Sequence, residues 1–327
     1  MKYIIQSFSI VLSFTVVILL QAGAGDLVKK ELPADFQANR IYVTPVTQSG
    51  DTLRFYTDTG GGVNMVWPSV VKSLELDTMQ RQMRGQTGAV ASLPDFSAEA
   101  EIPLPPKSSS AFGNKLGVRR PHQLLKPGGT GFLGAPWFAT RIWEFDYPGQ
   151  SLSIIPEMAW TGRSDKHTVH LGFYTGPDGN KTTHFPRMTI EVDGDSIDVL
   201  FDTGATALAK AGAAEQLGYP NISEIGTCFI IDSIFTGWQE AHPEWEVIEN
   251  AERQTGMPMI QVPEVGIAGY EVGPVWFTKR PDKSFTGRMS RWMDKPIYGA
   301  VGGSAFQYFR IIVDYPNQMA EFHLEDS

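Results

Sequence analysis

The chain has 327 residues, 42% of them hydrophobic and 19% charged, enough for a large core and two domains of ordinary globular composition. Its net charge of −9 comes with no basic stripe, which argues against a nucleic-acid binder. Cys228 is the only cysteine, so no intrachain disulfide forms and an exported form relies on its core.

Residues 1–24 read as a secretory signal peptide. Lys2 supplies the charged start, residues 4–20 are apolar with scattered Ser, Thr and Gln, and Ala22-Gly23-Ala24 is a small-residue cleavage site. The rival reading is an uncleaved membrane anchor, because the apolar run approaches spanning length. Cleavage is favoured, which predicts export to the periplasm or medium and a mature charge of −10, since Lys2 is lost. No Cys follows the site to carry a lipid. Residues 25–40 are polar and short, with Lys29, Lys30 and Arg40 as their basic residues, and contain no obvious propeptide.

Two domains are expected, 25–160 and 168–327. Residues 156–168 form a polar linker carrying Arg163-Ser164-Asp165-Lys166. The division follows an internal repeat. Leu53-Arg54-Phe55-Tyr56-Thr57-Asp58-Thr59-Gly60 returns as Ile197-Asp198-Val199-Leu200-Phe201-Asp202-Thr203-Gly204, each a run of strand formers ending in Asp-Thr-Gly. Upstream, Ser49-Gly50 and Asp193-Gly194 are hairpin signals, so each Asp-Thr-Gly ends the second strand of a hairpin. A second pair lies downstream: Gly131-Phe132-Leu133-Gly134 matches Gly299-Ala300-Val301-Gly302, and Phe145-Asp146-Tyr147-Pro148 matches Val313-Asp314-Tyr315-Pro316. The first pair is offset by 144 residues (202 − 58) and the second by 168 (299 − 131), so the second half carries 24 extra residues. Residues 237–255, with Trp238, Trp245 and several Glu, are a candidate for part of that insertion. A repeat of this length implies two similar lobes.

The remaining elements fill in between. Pro68-Ser69 opens a helix to about Leu76, and residues 108–121 read as a loop. Residues 206–217 read as a helix with a glycine stop at Gly218. Thr227-Cys228-Phe229-Ile230-Ile231 reads as a buried strand with an inert cysteine. Residues 262–277 read as paired strands with turns at Gly266, Gly269 and Gly273. Asp146 and Asp314 are read as structural turn residues.

The chemistry open to the repeated Asp-Thr-Gly is specific. Two carboxylates within about 3 Å of each other cannot both ionise and hold one proton between them. One then serves as base toward a water while the other serves as acid toward a carbonyl. Glycine permits the sharp turn behind each carboxylate, and the threonine hydroxyls can tie the loops together. The six histidines show no metal-ligand spacing, and neither a serine-hydrolase elbow nor a phosphate-binding loop is present.

On these motifs the chain resembles the pepsin-like and retropepsin-like aspartic proteases over roughly residues 41–324. In that family each lobe gives one Asp-Thr-Gly loop, and a later hydrophobic-hydrophobic-Gly stretch threads through it, as Phe132-Leu133-Gly134 and Ala300-Val301-Gly302 would here. Asn64-Met65-Val66-Trp67-Pro68-Ser69 is similar to the segment after the first catalytic loop. The Asp-Tyr-Pro pattern is closer to bacterial retropepsin-like members. The resemblance implies a mostly β, two-lobed acid-protease fold with a central cleft. It implies an exported aspartic endopeptidase with Asp58 and Asp202 as catalytic dyad, Thr59 and Thr203 bracing the loops, and Gly60 and Gly204 permitting the turns. Peptide or protein is the expected substrate, with no cofactor, no metal, no nucleic acid, and a monomeric state.

Three departures from the family pattern matter. The stretch Arg84-Gly85-Gln86-Thr87-Gly88 is either a flap tip over substrate or a solvent-exposed turn, and the usual flap Tyr is missing from it. The residues after the two Asp-Thr-Gly motifs are Gly61 and Ala205, which lack the hydroxyl that often stands there and hydrogen-bonds the carboxylate; this implies a weak-acid optimum, with Thr206 as a substitute in the second lobe. The alternative function is a catalytically silent two-lobed domain that binds peptides or a cell-envelope partner.

Overall fold

The computed structural model describes residues 29–83, 86–110, 112–121, 129–156 and 166–324. The signal segment and much of the expected linker lie outside them. The fold is mostly β and two-lobed, with one Asp-Thr-Gly loop on a large sheet of each half and a third sheet shared by both.

The sheet of the first half runs Ala34–Gln37, Arg40–Val43, Phe55–Asp58, Gly131–Gly134, Asn64–Val66, Leu116–Val118, Gln86–Ala91, Thr78–Met83. That of the second half centres on Asp195–Phe201, flanked by Arg187–Val192 and Gly299–Val301. The strands beside the aspartates, Arg40–Val43, Gly131–Gly134 and Gly299–Val301, are buried throughout, whereas another strand alternates. In Arg187–Val192, Met188, Ile190 and Val192 are buried while Thr189 and Glu191 are exposed. The Asp193-Gly194 turn has positive φ at both residues (53° and 82°) and closes Val192 onto Asp195. In the first half the turn at Gly50 (φ 92°) is closed by the bridge from Val46 to Thr52 and by Thr47 N donating to Asp51 O (2.9 Å).

The shared six-stranded sheet carries the pseudo-symmetry. Ile142–Asp146 pairs antiparallel with Phe309–Asp314, Ile142 facing Asp314 and Asp146 facing Arg310. The repeat offset of 168 carries 142 to 310 and 146 to 314, so exchanging the halves maps this pairing onto itself. The inward side chains, Trp143, Phe145, Ile311 and Val313, are fully buried in one core that extends into both halves. Asp146 and Asp314 cap the following turns by accepting from Gly149 N (2.8 Å) and Asn317 N (2.9 Å), as the sequence implied.

Several expectations need correction. Met65 pairs with Phe132 and Phe229 pairs with Ala300, which are repeat equivalents. Asp58 precedes Met65 by 7 residues, but Asp202 precedes Phe229 by 27 (65 − 58 against 229 − 202). Most of the extra residues therefore lie between Asp202 and Cys228, not at 237–255. They form Thr206–Leu208, the helix Ala211–Gln216 and Glu224–Gly226. The helix expected over 206–217 starts at Ala211, because Thr206–Leu208 pairs as a strand with Glu224–Gly226. Helix Asp232–Ala241, which directly follows Cys228–Ile231, matches Pro68–Ser73 in the first half. Residues 108–121 include the strand Leu116–Val118, and Gly266 lies within a strand opposite Glu191 instead of in a turn.

The inserted unit receives the other half. The hairpin joining Ala34–Gln37 to Arg40–Val43 turns at Ala38 and Asn39, both at positive φ. Ala38 O accepts from Gly226 N (2.7 Å), and Asn39 Nδ2 donates to Tyr219 Oη (2.9 Å) and Gln307 Oε1 (3.1 Å). This turn can sit so close because Gly226 has no side chain: a Cβ there would lie 2.6 Å from Asn39 O.

Candidate active site

Each Asp-Thr-Gly loop is placed by a parallel strand pairing. Phe55–Asp58 pairs with Gly131–Gly134, Thr57 facing Leu133 and Asp58 facing Gly134. In the second half Leu200 faces Ala300, Phe201 faces Val301, and Asp202 N donates to Val301 O at 2.8 Å. The second motifs thus lie directly beside the aspartates. Gly134 N is held by Asn64 Oδ1 (2.9 Å), and Ala135 N donates to Gly61 O (2.7 Å).

The two loops meet with two-fold reciprocity. Thr59 N donates to Thr203 Oγ1 (3.2 Å) and Thr203 N to Thr59 Oγ1 (2.9 Å). Thr59 Oγ1 donates in turn to Phe201 O (2.8 Å). Both threonines are buried, so each lost bond would strand a polar group at about 1–3 kcal/mol. The glycine amides face the carboxylates: Gly60 N donates to Asp58 Oδ1 (2.7 Å) and Gly204 N to Asp202 Oδ1 (2.9 Å). A Cβ on Gly60 would lie 2.6 Å from Asp202 Cγ, and one on Gly204 would overlap the Asp58 carboxyl. Each glycine lies against the carboxylate of the other half, and that space explains why it is glycine.

The Asp58 and Asp202 side chains are hydrogen-bonded to each other. Burial pushes both carboxyls above the ordinary range. Asp202 rises well above it, because the charge on Asp58 adds to burial and outweighs the Gly204 and Gly60 amides. Asp58 rises less, since its bond from Asp202, the Gly60 and Gly61 amides and the Arg40 charge favour its anion. Two buried carboxyls this close share one proton between them. That is the protonation pattern for activating a water at one oxygen and polarising a carbonyl at the other.

The same shift affects stability. Both folded carboxyls titrate above the unfolded value of about 3.9, so between that pH and the raised Asp202 value the folded state binds more protons. Stability from this source is full below about pH 4 and is lost as pH rises through the Asp202 titration. Asp202→Asn, which fixes a neutral side chain, should therefore gain Tm relative to wild type as pH rises from about 4 to 7. Parallel Tm curves would show that Asp202 does not titrate in this way.

Other expected site residues fare differently. Gly85 lies outside the described residues. Thr87 and Gly88 sit in Gln86–Ala91, which pairs with Thr78–Met83, so the hairpin exists; Thr87 Oγ1 accepts from Gln82 Nε2 (2.7 Å) on its partner strand. Thr206 does not supply the missing hydroxyl to Asp202: its Oγ1 bonds Tyr56 Oη (2.8 Å) and Gly204 O (3.1 Å). At Gly61 the room for a hydroxyl is taken. A Cβ there would lie 3.1 Å from Asp58 Oδ2 but would overlap the ring of buried Phe132. Gly61→Ser alone should therefore lower Tm. Gly61→Ser with Phe132→Ala should move the acid limb of a pH–kcat/KM profile downward relative to Phe132→Ala, because a hydroxyl bonding the anion favours it. Superimposed limbs would rule the hydroxyl out.

Two residues next to the dyad escaped the motif reading. Tyr56, in the Asp58 strand, donates its hydroxyl to Gly204 O in the opposite loop at 2.8 Å. Arg40 packs its guanidinium on the Tyr56 ring, 4.3 Å from the centroid. Neither belongs to Asp-Thr-Gly, although period-two alternation does place Tyr56 on the Asp58 face. Cys228 is buried, its Sγ accepts from Gly302 N (3.3 Å), and burial pushes the thiol up to about 12, which keeps it inert.

No protein-family model matches the chain, and no curated protein matches it. Among solved structures the chain is similar to an aspartic proteinase from Irpex lacteus, at 10% identity and a TM-score of 0.48, covering 91% of this chain and 98% of that one.

Proposed function

We propose that this protein is an exported aspartic endopeptidase whose dyad is Asp58 and Asp202. The observation that carries the reading is the reciprocal meeting of the two Asp-Thr-Gly loops, which brings the two carboxyls into hydrogen-bond contact. Asp58 takes a proton from a water as that water attacks the peptide carbonyl carbon, and Asp202 gives its proton to the carbonyl oxygen. In the collapse of the gem-diol, Asp58 protonates the leaving nitrogen and Asp202 recovers a proton from a hydroxyl. No step calls for a cofactor. Thr59 and Thr203 hold the carboxyls in register, and the hairpin carrying Gln86, Thr87 and Gly88 closes over substrate as a flap.

The test is digestion of an unfolded protein at weakly acidic pH, with new termini read by mass spectrometry. Fragments ending in free carboxyls, suppressed by a transition-state mimic with a hydroxyl in place of the attacked carbonyl, are expected. Binding of the mimic without cleavage would favour a silent peptide-binding domain; neither binding nor cleavage would sink the proposal. Export is checked separately: N-terminal sequencing of the cell-derived protein should begin near Gly25, and retention of Met1 would favour a membrane anchor.

A further inference from the structure

A buried cation stands behind the first carboxylate. Arg40–Val43 pairs antiparallel with Phe55–Asp58 through Tyr42 opposite Tyr56 and Val43 opposite Phe55. Continuing that register puts Arg40 opposite Asp58, on the same face of the sheet. Arg40 is 4% exposed. Its guanidinium carbon lies 4.3 Å from the centre of the Tyr56 ring and 5.2 Å from that of Tyr42. Its Nε has no hydrogen-bond partner among the described residues. No carboxylate there forms a salt bridge with it, and Glu224 acts on it only through space. A cation so far removed from water is costly unless a negative charge nearby compensates it.

By that register Arg40 stands beside Asp58, and its charge acts through space to favour the Asp58 anion. Among the described residues, Arg40, Tyr56 and Tyr315 act through space with Asp58, and Tyr147 and Cys228 with Asp202, besides the partner carboxyl itself. Burial keeps the three tyrosines and the thiol neutral. Among the described residues this leaves Arg40 as the formal charge that distinguishes the two carboxyls. Tyr56 links it to the opposite loop through its hydroxyl on Gly204 O.

We propose that Arg40 is the electrostatic positioning residue of the dyad: held on the Tyr56 ring, its guanidinium fixes the single negative charge on Asp58 and the proton on Asp202. The two carboxyls, nearly equivalent by repeat, thereby acquire different roles. This rests on reading Asp58 and Asp202 as the working dyad, but its test does not need proteolysis.

The test is a carboxyl-carbon NMR titration of protein labelled at aspartate, in wild type, Arg40→Gln and Arg40→Lys. The first ionisation of the dyad should move up by about one pH unit in Arg40→Gln and stay near wild type in Arg40→Lys, which keeps the charge. An unmoved Arg40→Gln, or equal shifts in both variants, would overturn the assignment in favour of a packing role. Should Arg40→Gln fail to fold, two variants that leave Arg40 in place decide the matter. The lone Asp58 of Asp202→Asn should titrate below the lone Asp202 of Asp58→Asn, and the reverse order overturns the proposal. A shifted titration in a protein that cleaves nothing would retain the electrostatic assignment and reject the catalytic reading.

Discussion

Asp202→Asn should lower kcat/KM by at least about a thousandfold, roughly 4 kcal/mol of transition-state stabilisation, while the protein stays folded. Asn is isosteric and its carbonyl oxygen can still accept from Gly204 N, so the loop geometry survives. What disappears is the proton that Asp202 presents to the carbonyl. Asp58→Asn should cost a similar amount for the opposite reason, since the lost group is the anion that receives the proton of water. The two act as one unit, so the double variant should be little worse than either single one. The measurements are kcat/KM near the wild-type optimum and Tm by calorimetry. A folded single variant keeping more than a tenth of wild-type activity would refute the dyad.

Gly204→Ala should be nearly as damaging, although it adds one methyl group to a residue that takes no part in the chemistry. The added carbon would overlap the Asp58 carboxyl, so either the loops part or Asp58 turns away from Asp202. Loop separation would break the reciprocal bonds between Thr59 and Thr203. A loss of at least about a hundredfold in activity is expected, on the order of 3 kcal/mol, with a lowered Tm. Gly212→Ala is the control. Gly212 lies in the helix Ala211–Gln216 with open space where a Cβ would go. There alanine should leave activity unchanged and raise stability by about 0.5–1 kcal/mol. Equal behaviour of the two variants would show that the close approach at Gly204 is unimportant.

The features that depend on local pattern are legible in the order of residues alone. Period-two alternation and Gly turns specify the hairpins, and the repeated Asp-Thr-Gly shows that two similar loops exist. The offsets of 144 and 168 reveal an insertion in the second half. The turn roles of Asp146 and Asp314 were legible because an Asx turn is made within three residues.

Contacts between residues far apart in the chain emerge from the folded arrangement. The Trp- and Glu-rich run at 237–255 looks foreign in composition and so suggests part of the insertion, whereas the strand equivalence that locates it is visible only in the pairing of Phe229 with Ala300. Thr206 stands one residue past Ala205, as a substitute hydroxyl would, yet Tyr56, 150 residues away in sequence, occupies it. Gly61 reads as a missing hydroxyl, but the ring of Phe132 fills that space, so a serine there needs a compensating change. Arg40 reads as one of three basic residues in a polar leader, and becomes the buried charge beside Asp58 only once its strand pairs with Phe55–Asp58. Electrostatic work and close packing depend on distance through space, and a sequence records distance only along the chain.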